Sequence, residues 1–231
     1  MYDVMPIMIN VKHKKCIVVG GGKVAERKIN SLMEAMASIL VISPKVTSQI
    51  KYWQREGKLQ ICKKNYDISE VGTPYLMIAA TDQNQVNLQV YEDAKKQNIF
   101  VSIVDCPDCS DFIFPASFKR GKLQIAVSTS GASPSVARSI KKELENKYGN
   151  EYEIYLDFLS EFRLFVKTKI NDSHQRQAIS RGIMELDILR FIREGQFHSF
   201  QKELYKNLED PDYIYKENWI DRYLEDKDKG V

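Results

Sequence analysis

The chain has 231 residues, 43% of them hydrophobic and 28% charged, with a formal net charge of +3. That is enough apolar material for one large core or two smaller ones, with no need of a metal or disulfide staple. The charge is too slight to argue for nucleic acid as a partner, and no apolar run approaches the roughly 18 residues of a membrane-spanning helix.

Further exclusions come from the start of the chain and from the cysteines. Met1-Tyr-Asp-Val-Met-Pro6 lacks the basic-then-apolar pattern of a secretory signal. Cys16, Cys62, Cys106 and Cys109 make no disulfide framework in a chain of this size. A cytoplasmic protein is expected.

Up to residue 113, short β-branched runs alternate with helical patterns. Cys16–Val19 is an apolar run ending in glycines, and Val24–Met36 carries Val24, Ile29, Leu32, Met33 and Met36 at helical spacing. Ser38–Ser43 is the next buried strand, stopped by Pro44. Lys58–Lys63, Tyr75–Ala80 and Ile99–Val104 read as three more, with a helix over Gln85–Lys96 between the last two. Apolar strands that run continuously rather than alternating, joined by helices, indicate a parallel sheet covered on both faces. Right-handed crossovers make it a doubly wound, Rossmann-like α/β fold.

Beyond Phe112 the character changes. Leu123–Ser128 reads as a strand, and Ser133 can cap a helix that starts at Pro134 and runs to about Lys147, stopping near Gly149. After residue 150, Tyr152, Tyr155, Leu156, Leu159, Phe162, Val166 and Ile170 recur at spacings of three or four, as do Ile179, Ile183, Leu186 and Leu189. That is a helical region, packed as a small bundle or against a partner. Gln175-Arg-Gln177 and Glu225–Lys229 read as solvated polar stretches. The expected domains are 1–113, binding the dinucleotide; 114–148, a small α+β segment; and 149–231, helical.

Gly20-Gly-Gly-Lys-Val-Ala25 directly follows the first strand and opens the first helix. In a dinucleotide site Gly20 allows the sharp turn, Gly22 removes a side chain that would block the pyrophosphate, and Ala25 lets helix and strand pack closely. The N-terminal amides of the helix then face the anion. Candidate cofactor contacts are therefore Gly20, Gly21, Gly22, Lys23 and Val24. The acidic residue expected about twenty positions on, at the ribose 2′-hydroxyl, is missing. Ser43-Pro44-Lys45 stands there, with Ser43 suited to a ribose and Lys45 to a 2′-phosphate, so the residues alone leave NAD and NADP open. Small residues at Ala79-Ala80 let the cofactor lie close to the backbone, and Thr81 can hydrogen-bond it. Asn87 suits a brace of the next turn and an ordinary helix surface equally well.

Five stretches taken together resemble one family. They are Gly20–Lys28, Ala79-Ala-Thr-Asp82 with Asn87, Val104-Asp-Cys-Pro-Asp108, Asp111-Phe-Ile-Phe-Pro-Ala116, and Val127–Pro134 followed by Ala137-Arg138. The pattern is similar to the siroheme synthase N-terminal family, over roughly residues 5–148. The resemblance implies NAD-dependent oxidation of precorrin-2 to sirohydrochlorin, and a homodimer interlocked through the 114–148 segment. It places the family's functional aspartate at Asp105, which also follows the Ile99–Val104 strand at the sheet edge where open α/β folds bind ligands. Asp105 is the candidate general base, a turn-forming role beside Pro107 being the bland alternative. No counterpart of the methyltransferase domain of fused members stands in these 231 residues, so methylation is not expected. Resemblance to those fused members also suggests Ser128 as a phosphorylation position.

A substrate rich in carboxylates calls for cations. Lys119, Arg120 and Lys122 flank the central segment, and Arg138, Lys141 and Lys142 lie on the helix from Pro134. Arg138 suits a carboxylate best through its planar fork, and Ser128, Thr129 and Ser130 precede the helix N-terminus. Substrate contacts are thus expected from Ser128, Thr129, Ser130, Arg138 and Arg120.

Cys106-Pro-Asp-Cys109 has the spacing of a metal or redox pair, but zinc would need two more ligands and no matching Cys/His pair exists. It is read as incidental loop cysteines. His13, His174 and His198 are scattered, and no metal site is expected. Two other functions fit less well. One is a bifunctional dehydrogenase and ferrochelatase, whose chelation needs no ligand signature. The other is a non-catalytic NAD-sensing regulator, for which no DNA-binding pattern is evident.

Overall fold

The computed structural model describes residues 4–104, 106–196 and 199–200. Packing divides the chain into two compact units. One comprises Met1–Phe114 with Ser130–Ala132, the other Pro115–Thr129 with Ser133–Val231.

The first unit runs β1 (Lys15–Val19), α1 (Lys23–Glu34), β2 (Ser38–Ile42), α2 (Ser48–Arg55), β3 (Gln60–Cys62), β4 (Leu76–Ala79), α3 (Asn84–Lys96) and β5 (Phe100–Ile103). Its five strands lie in the order β3-β2-β1-β4-β5, every pair parallel. The chain therefore winds outward from β1 to one side and then crosses back to the other. Alternation along each strand sorts the core into two faces. Cys16 and Val18 of β1 pack with Ala25, Ile29 and Leu32 of α1 and with Ile50 of α2. Ile17 and Val19 pack on the other face with Val90 and Ala94 of α3. Ala25, Ile29 and Leu32 recur at four and three residues, which holds α1 on the sheet, and a fully buried Ile29 contributes about 2 kcal/mol.

The expected strands form to within two residues at either end, and the expected parallel, doubly wound Rossmann-like fold is present. Helix α2 was not anticipated. Its sequence, Ser-Gln-Ile-Lys-Tyr-Trp-Gln-Arg, buries only Ile50 fully, and its start is set by the Thr47 hydroxyl accepting from the Ile50 N–H at 3.2 Å.

In the second unit, β6 (Ala116–Arg120) and β7 (Leu123–Val127) form an antiparallel hairpin closed by Gly121-Lys122, with Gly121 at φ +52°. Strand β6 carries no strand pattern in its sequence, because Ala-Ser-Phe-Lys-Arg buries only Phe118. Helix α4 (Pro134–Lys147) follows, capped as expected by Ser133, whose hydroxyl accepts from the Val136 N–H, and opened by Pro134. Helices α5 (Glu151–Lys169), α6 (Ser173–Glu185) and α7 (Ile188–Arg193) share a core of Phe158, Phe162, Val166, Ile183, Ile188 and Ile192. The buried line of α5 runs through Phe158, while Tyr152, Tyr155 and Leu159 from the expected stripe are its half-buried flank. Arg176 is no solvated residue: it donates to the Ile170 and Asn171 carbonyls that end α5. Glu225–Lys229 and His198 lie outside the described residues. Among the described residues no helix is long and apolar enough to cross a membrane.

One charged residue on α1 is placed unusually. The Lys28 ammonium sits 3.9 Å from the ring centroid of Phe114, and burial, with Arg27 nearby, pushes its pKa down to about 8. The unfolded chain therefore holds this proton to higher pH than the folded one, so Lys28 makes stability rise as pH climbs past 8. In chemical denaturation at pH 7 and pH 9, the wild-type protein should gain stability relative to Lys28→Met at the higher pH. A constant difference between the two proteins would contradict the buried ammonium.

Candidate functional site

Parallel register sets one edge of the sheet. Val19 lies opposite Ile42 on one side and Ala79 on the other, and Ala79 lies opposite Ile103. Gly20, Ser43, Ala80 and Val104 therefore leave their strands at the same carboxyl edge. The strand order reverses there between β1 and β4, the crevice in which open α/β sheets take ligands.

The three glycines have three different reasons to be glycine. Gly20 has φ +117°, and a Cβ there would stand 2.3 Å from the Ala80 carbonyl oxygen. At Gly21 a Cβ would meet the Lys45 carbonyl oxygen at 2.1 Å, and the Gly21 carbonyl accepts from the Thr47 N–H at 3.0 Å. A Cβ at Gly22 would meet nothing within 4 Å. Gly20 and Gly21 are thus required by protein packing, whereas the bareness of Gly22 leaves open space. That space lies at the start of α1, whose N-cap is Gly22 with no side-chain cap, so the first amides of the helix face outward at its positive end. An uncapped helix N-terminus behind a cleared position fits a pyrophosphate. Lys23 pairs with Glu26 in the same turn at 3.0 Å. A hydrogen bond from Thr47, with the ammonium of Lys23, keeps the Glu26 carboxyl below the usual range. Val24 packs partly against the core behind the turn.

The 43–47 loop is drawn onto this turn. Ser43 is buried, and its hydroxyl donates to the Lys45 carbonyl at 2.7 Å. Its proton is committed to the loop, and its oxygen keeps acceptor capacity for a ribose hydroxyl. Pro44 and Lys45 are exposed.

Thr81 sits in a comparable network. Its hydroxyl approaches the Asn87 Oδ1 at 2.7 Å and accepts from the Gln83 N–H at 3.1 Å. Asn87 also donates to the Thr81 carbonyl at 3.1 Å. Asn87 is buried, 5% exposed, which decides between the two roles its sequence position left open: it braces the turn that leaves β4. A polar residue at the inner face of a helix start was the only signal, and it was not enough to distinguish a brace from surface.

Asp105 lies outside the described residues. On either side of it, Val104 donates to the Ala79 carbonyl at 2.9 Å and Cys106 to the Ile103 carbonyl at 3.3 Å. Cys106 and Cys109, read above as incidental, are joined as a disulfide around a short turn over Pro107–Cys109. Spacing could not reveal the pairing; the turn brings the two Cα atoms to 5.3 Å.

Of the substrate candidates, Arg120, Ser128, Thr129 and Arg138 belong to the second unit and Ser130 to the first. Ser128 is exposed, following β7. The Thr129 hydroxyl donates to the Ser133 carbonyl at 3.0 Å and accepts the Ser133 N–H at 3.2 Å, closing a loop in which Ser130 takes φ 49°. Among the cations, Arg120 faces Glu145 at 3.8 Å, Lys141 pairs with Glu145 at 2.6 Å, and Lys122 pairs with Asp157 at 2.9 Å. Arg138 is exposed on α4 and makes no ion pair among the described residues. Internal pairing thus leaves Arg138, Lys119 and Lys142 as the cations of this group with no ion pair among the described residues.

Residues 7–116 match an NAD(P)-binding family model, and residues 120–147 match the model of the central domain of sirohaem biosynthesis proteins. The chain belongs to the siroheme synthase N-terminal family. Among curated relatives, the siroheme synthase of Nitrosococcus oceani is 35% identical over 192 residues, covering 83% of this chain and 41% of that protein. The siroheme synthase of Actinobacillus pleuropneumoniae serotype 7 is 37% identical over 174 residues, 75% of this chain and 36% of its own. The chain therefore spans about two-fifths of the length of these relatives. A solved structure, SirC, precorrin-2 dehydrogenase, is 27% identical with a TM-score of 0.71, covering 88% of this chain and 100% of that one.

Membership of the family makes the glycine contrast testable. Gly20→Ala should cost roughly 2–4 kcal/mol of stability through strain and the Ala80 clash. Gly22→Ala should melt within about 1 °C of the parent yet bind NAD at least about tenfold more weakly, because a methyl would occupy the anion's space. Calorimetry and cofactor titration measure both, and equal melting losses in the two variants would contradict the assignment of Gly22 to the ligand.

Proposed function

We propose that this chain is an NAD-dependent precorrin-2 dehydrogenase, converting precorrin-2 to sirohydrochlorin on the route to siroheme. One observation carries the reading: the solved precorrin-2 dehydrogenase is matched along its whole length, not through its dinucleotide domain alone. The bare Gly22 position at an uncapped helix start supports a dinucleotide independently.

In this reading precorrin-2 loses a hydride and a proton. The chemistry supplied by bound NAD is acceptance of the hydride. Gly20, Gly21, Gly22, Lys23 and Val24 hold the pyrophosphate at the amide end of α1, Ser43, Pro44 and Lys45 flank the adenosine ribose, and Thr81 borders the cofactor at the end of β4. Asp105 takes the proton, directly or through one water. Arg138 grips a substrate carboxylate through its fork, with Ser128, Thr129 and Ser130 completing the carboxylate contacts, and Arg120 joins them on release from Glu145. NAD is preferred over NADP in this assignment because Lys45 alone is a thin counter-charge for a 2′-phosphate. A homodimer is part of the same reading, supported by Val136 and Ile140, apolar yet exposed on α4. The cytoplasm, where NAD is regenerated, is the fitting compartment.

The test is anaerobic turnover of precorrin-2 with NAD or NADP, followed by sirohydrochlorin absorbance. NAD-dependent product formation is expected; no product with either cofactor would overturn the reading in favour of a sensing role. Ferrous iron added afterwards asks for chelatase activity, seen as siroheme forming faster than in buffer.

Two variants test the residue roles. Asp105→Ala should bind NAD normally and turn over at least about a hundredfold more slowly. Near-normal turnover would remove Asp105 from the chemistry.

Arg138→Glu should raise the KM for precorrin-2 about tenfold or more while kcat holds. A change confined to melting temperature would make Arg138 structural.

A further inference from the structure

The Cys106–Cys109 pair stands at the ligand-binding edge of the sheet and has no part in the chemistry above. Its turn carries backbone and side-chain hydrogen bonds besides the disulfide. The Cys109 N–H donates to the Cys106 carbonyl at 3.1 Å and the Ser110 N–H to the Pro107 carbonyl at 3.0 Å. The Ser110 hydroxyl donates to the Cys106 carbonyl at 2.9 Å and accepts from the Ile103 N–H at 2.9 Å. The chain then returns along β5, with Asp111 donating its N–H to the Val101 carbonyl at 2.8 Å and accepting the Val101 N–H at 3.0 Å. Lys95 pairs with the same carboxylate. The segment is thus an out-and-back loop tied to one strand at its base, with the cysteines at its tip.

Two consequences follow for the sulfurs. The hydrogen bonds frame the turn of the disulfide form, in which the two Cα atoms stand 5.3 Å apart, within bridging range. Both side chains are half-buried and pack against the apolar face that holds Val19, Ala79 and Ile103. By contrast Cys16 is fully buried, and burial pushes its thiol up to about 11. In a reducing compartment, disulfides that form at all are characteristically transient and redox-responsive.

We propose that Cys106 and Cys109 form a reversible dithiol–disulfide couple that exchanges with small disulfides and sets turnover at the adjoining dehydrogenase site. One cysteine thiolate attacks a sulfur of a small disulfide such as oxidised glutathione, giving a mixed disulfide and releasing one small thiol(ate). The second cysteine thiolate then attacks the protein-side sulfur, closing the Cys106–Cys109 bond and releasing the other. Two protein thiols lose two electrons and two protons, and the small disulfide gains them as two thiols. The link to turnover rests on the dehydrogenase reading. Asp105 is bonded to Cys106, so ring closure removes backbone freedom immediately after the candidate base. Constraint of the backbone next to a catalytic group raises the effective concentration of that group at the reacting atom.

The test equilibrates the full chain with mixtures of reduced and oxidised glutathione, quenches in acid, alkylates, and maps protected thiols by mass while assaying each sample anaerobically. Expected is reversible protection of Cys106 and Cys109 together, with turnover in the disulfide form about threefold or more above the dithiol form at unchanged KM for NAD. Cys106→Ser and Cys109→Ser should each hold turnover at the dithiol level and abolish the response, whereas Cys62→Ser should keep it. A pair that stays reduced in oxidised glutathione, or a disulfide form turning over no faster than the dithiol, would overturn the proposal. If no sample oxidises precorrin-2, the dehydrogenase reading fails and takes the turnover link with it, while the thiol map still decides whether the couple exists.

Discussion

Everything at the ligand edge depends on one close approach: the backbone of Gly20 against the carbonyl of Ala80. The two strands they end are neighbours in the sheet, and the turn from β1 into α1 must pass over the end of β4 without a side chain in the way. A positive φ at Gly20 aims the helix across the sheet edge, and the same path leaves Gly21 no room beside Lys45. The 43–47 loop is fastened to that turn by the Thr47 N–H, and the 80–87 turn is fastened to itself through Asn87. Two loops from different strands are thereby held around one uncapped helix start. The ligand site is a by-product of how closely three strand ends are packed.

Electrostatics then sorts the candidates that packing leaves. In the second unit, Arg120, Lys122 and Lys141 are already answered by Glu145 and Asp157, so composition alone overstates the positive charge offered to a substrate. Exposed ion pairs of this sort contribute little stability each, but they occupy donors. Arg138 is distinguished less by its own sequence context than by the absence of an acidic residue one turn away to engage it.

Much of this was legible beforehand, for identifiable reasons. Continuous apolar runs such as Ser38–Ile42 and Leu76–Ala79 announce buried parallel strands, because both faces of such a strand must be covered. The Ser133-Pro134 start of α4 is written in residues whose local preferences coincide with the outcome. What escaped notice was carried by tertiary contacts. Helix α2 and strand β6 have almost no apolar pattern, since Ile50 and Phe118 are their lone buried residues. The bracing role of Asn87 and the pairing of Cys106 with Cys109 depend on distances that no spacing rule encodes. Nor does the count of basic residues reveal which carboxylates they already face.

The strand order has a further consequence, for how the chain reaches this state. Strand β1 is central, yet its pairing of Cys16 with Leu76 joins residues sixty positions apart, and every pairing in the five-stranded sheet is a parallel crossover. Such non-local pairings must meet the entropy of closing long loops before they return anything. During synthesis the first strand emerges early and waits, its apolar edge towards β4 uncovered, until the fourth is made. Nascent chains of this protein should therefore depend on chaperones most strongly in the interval between those two strands.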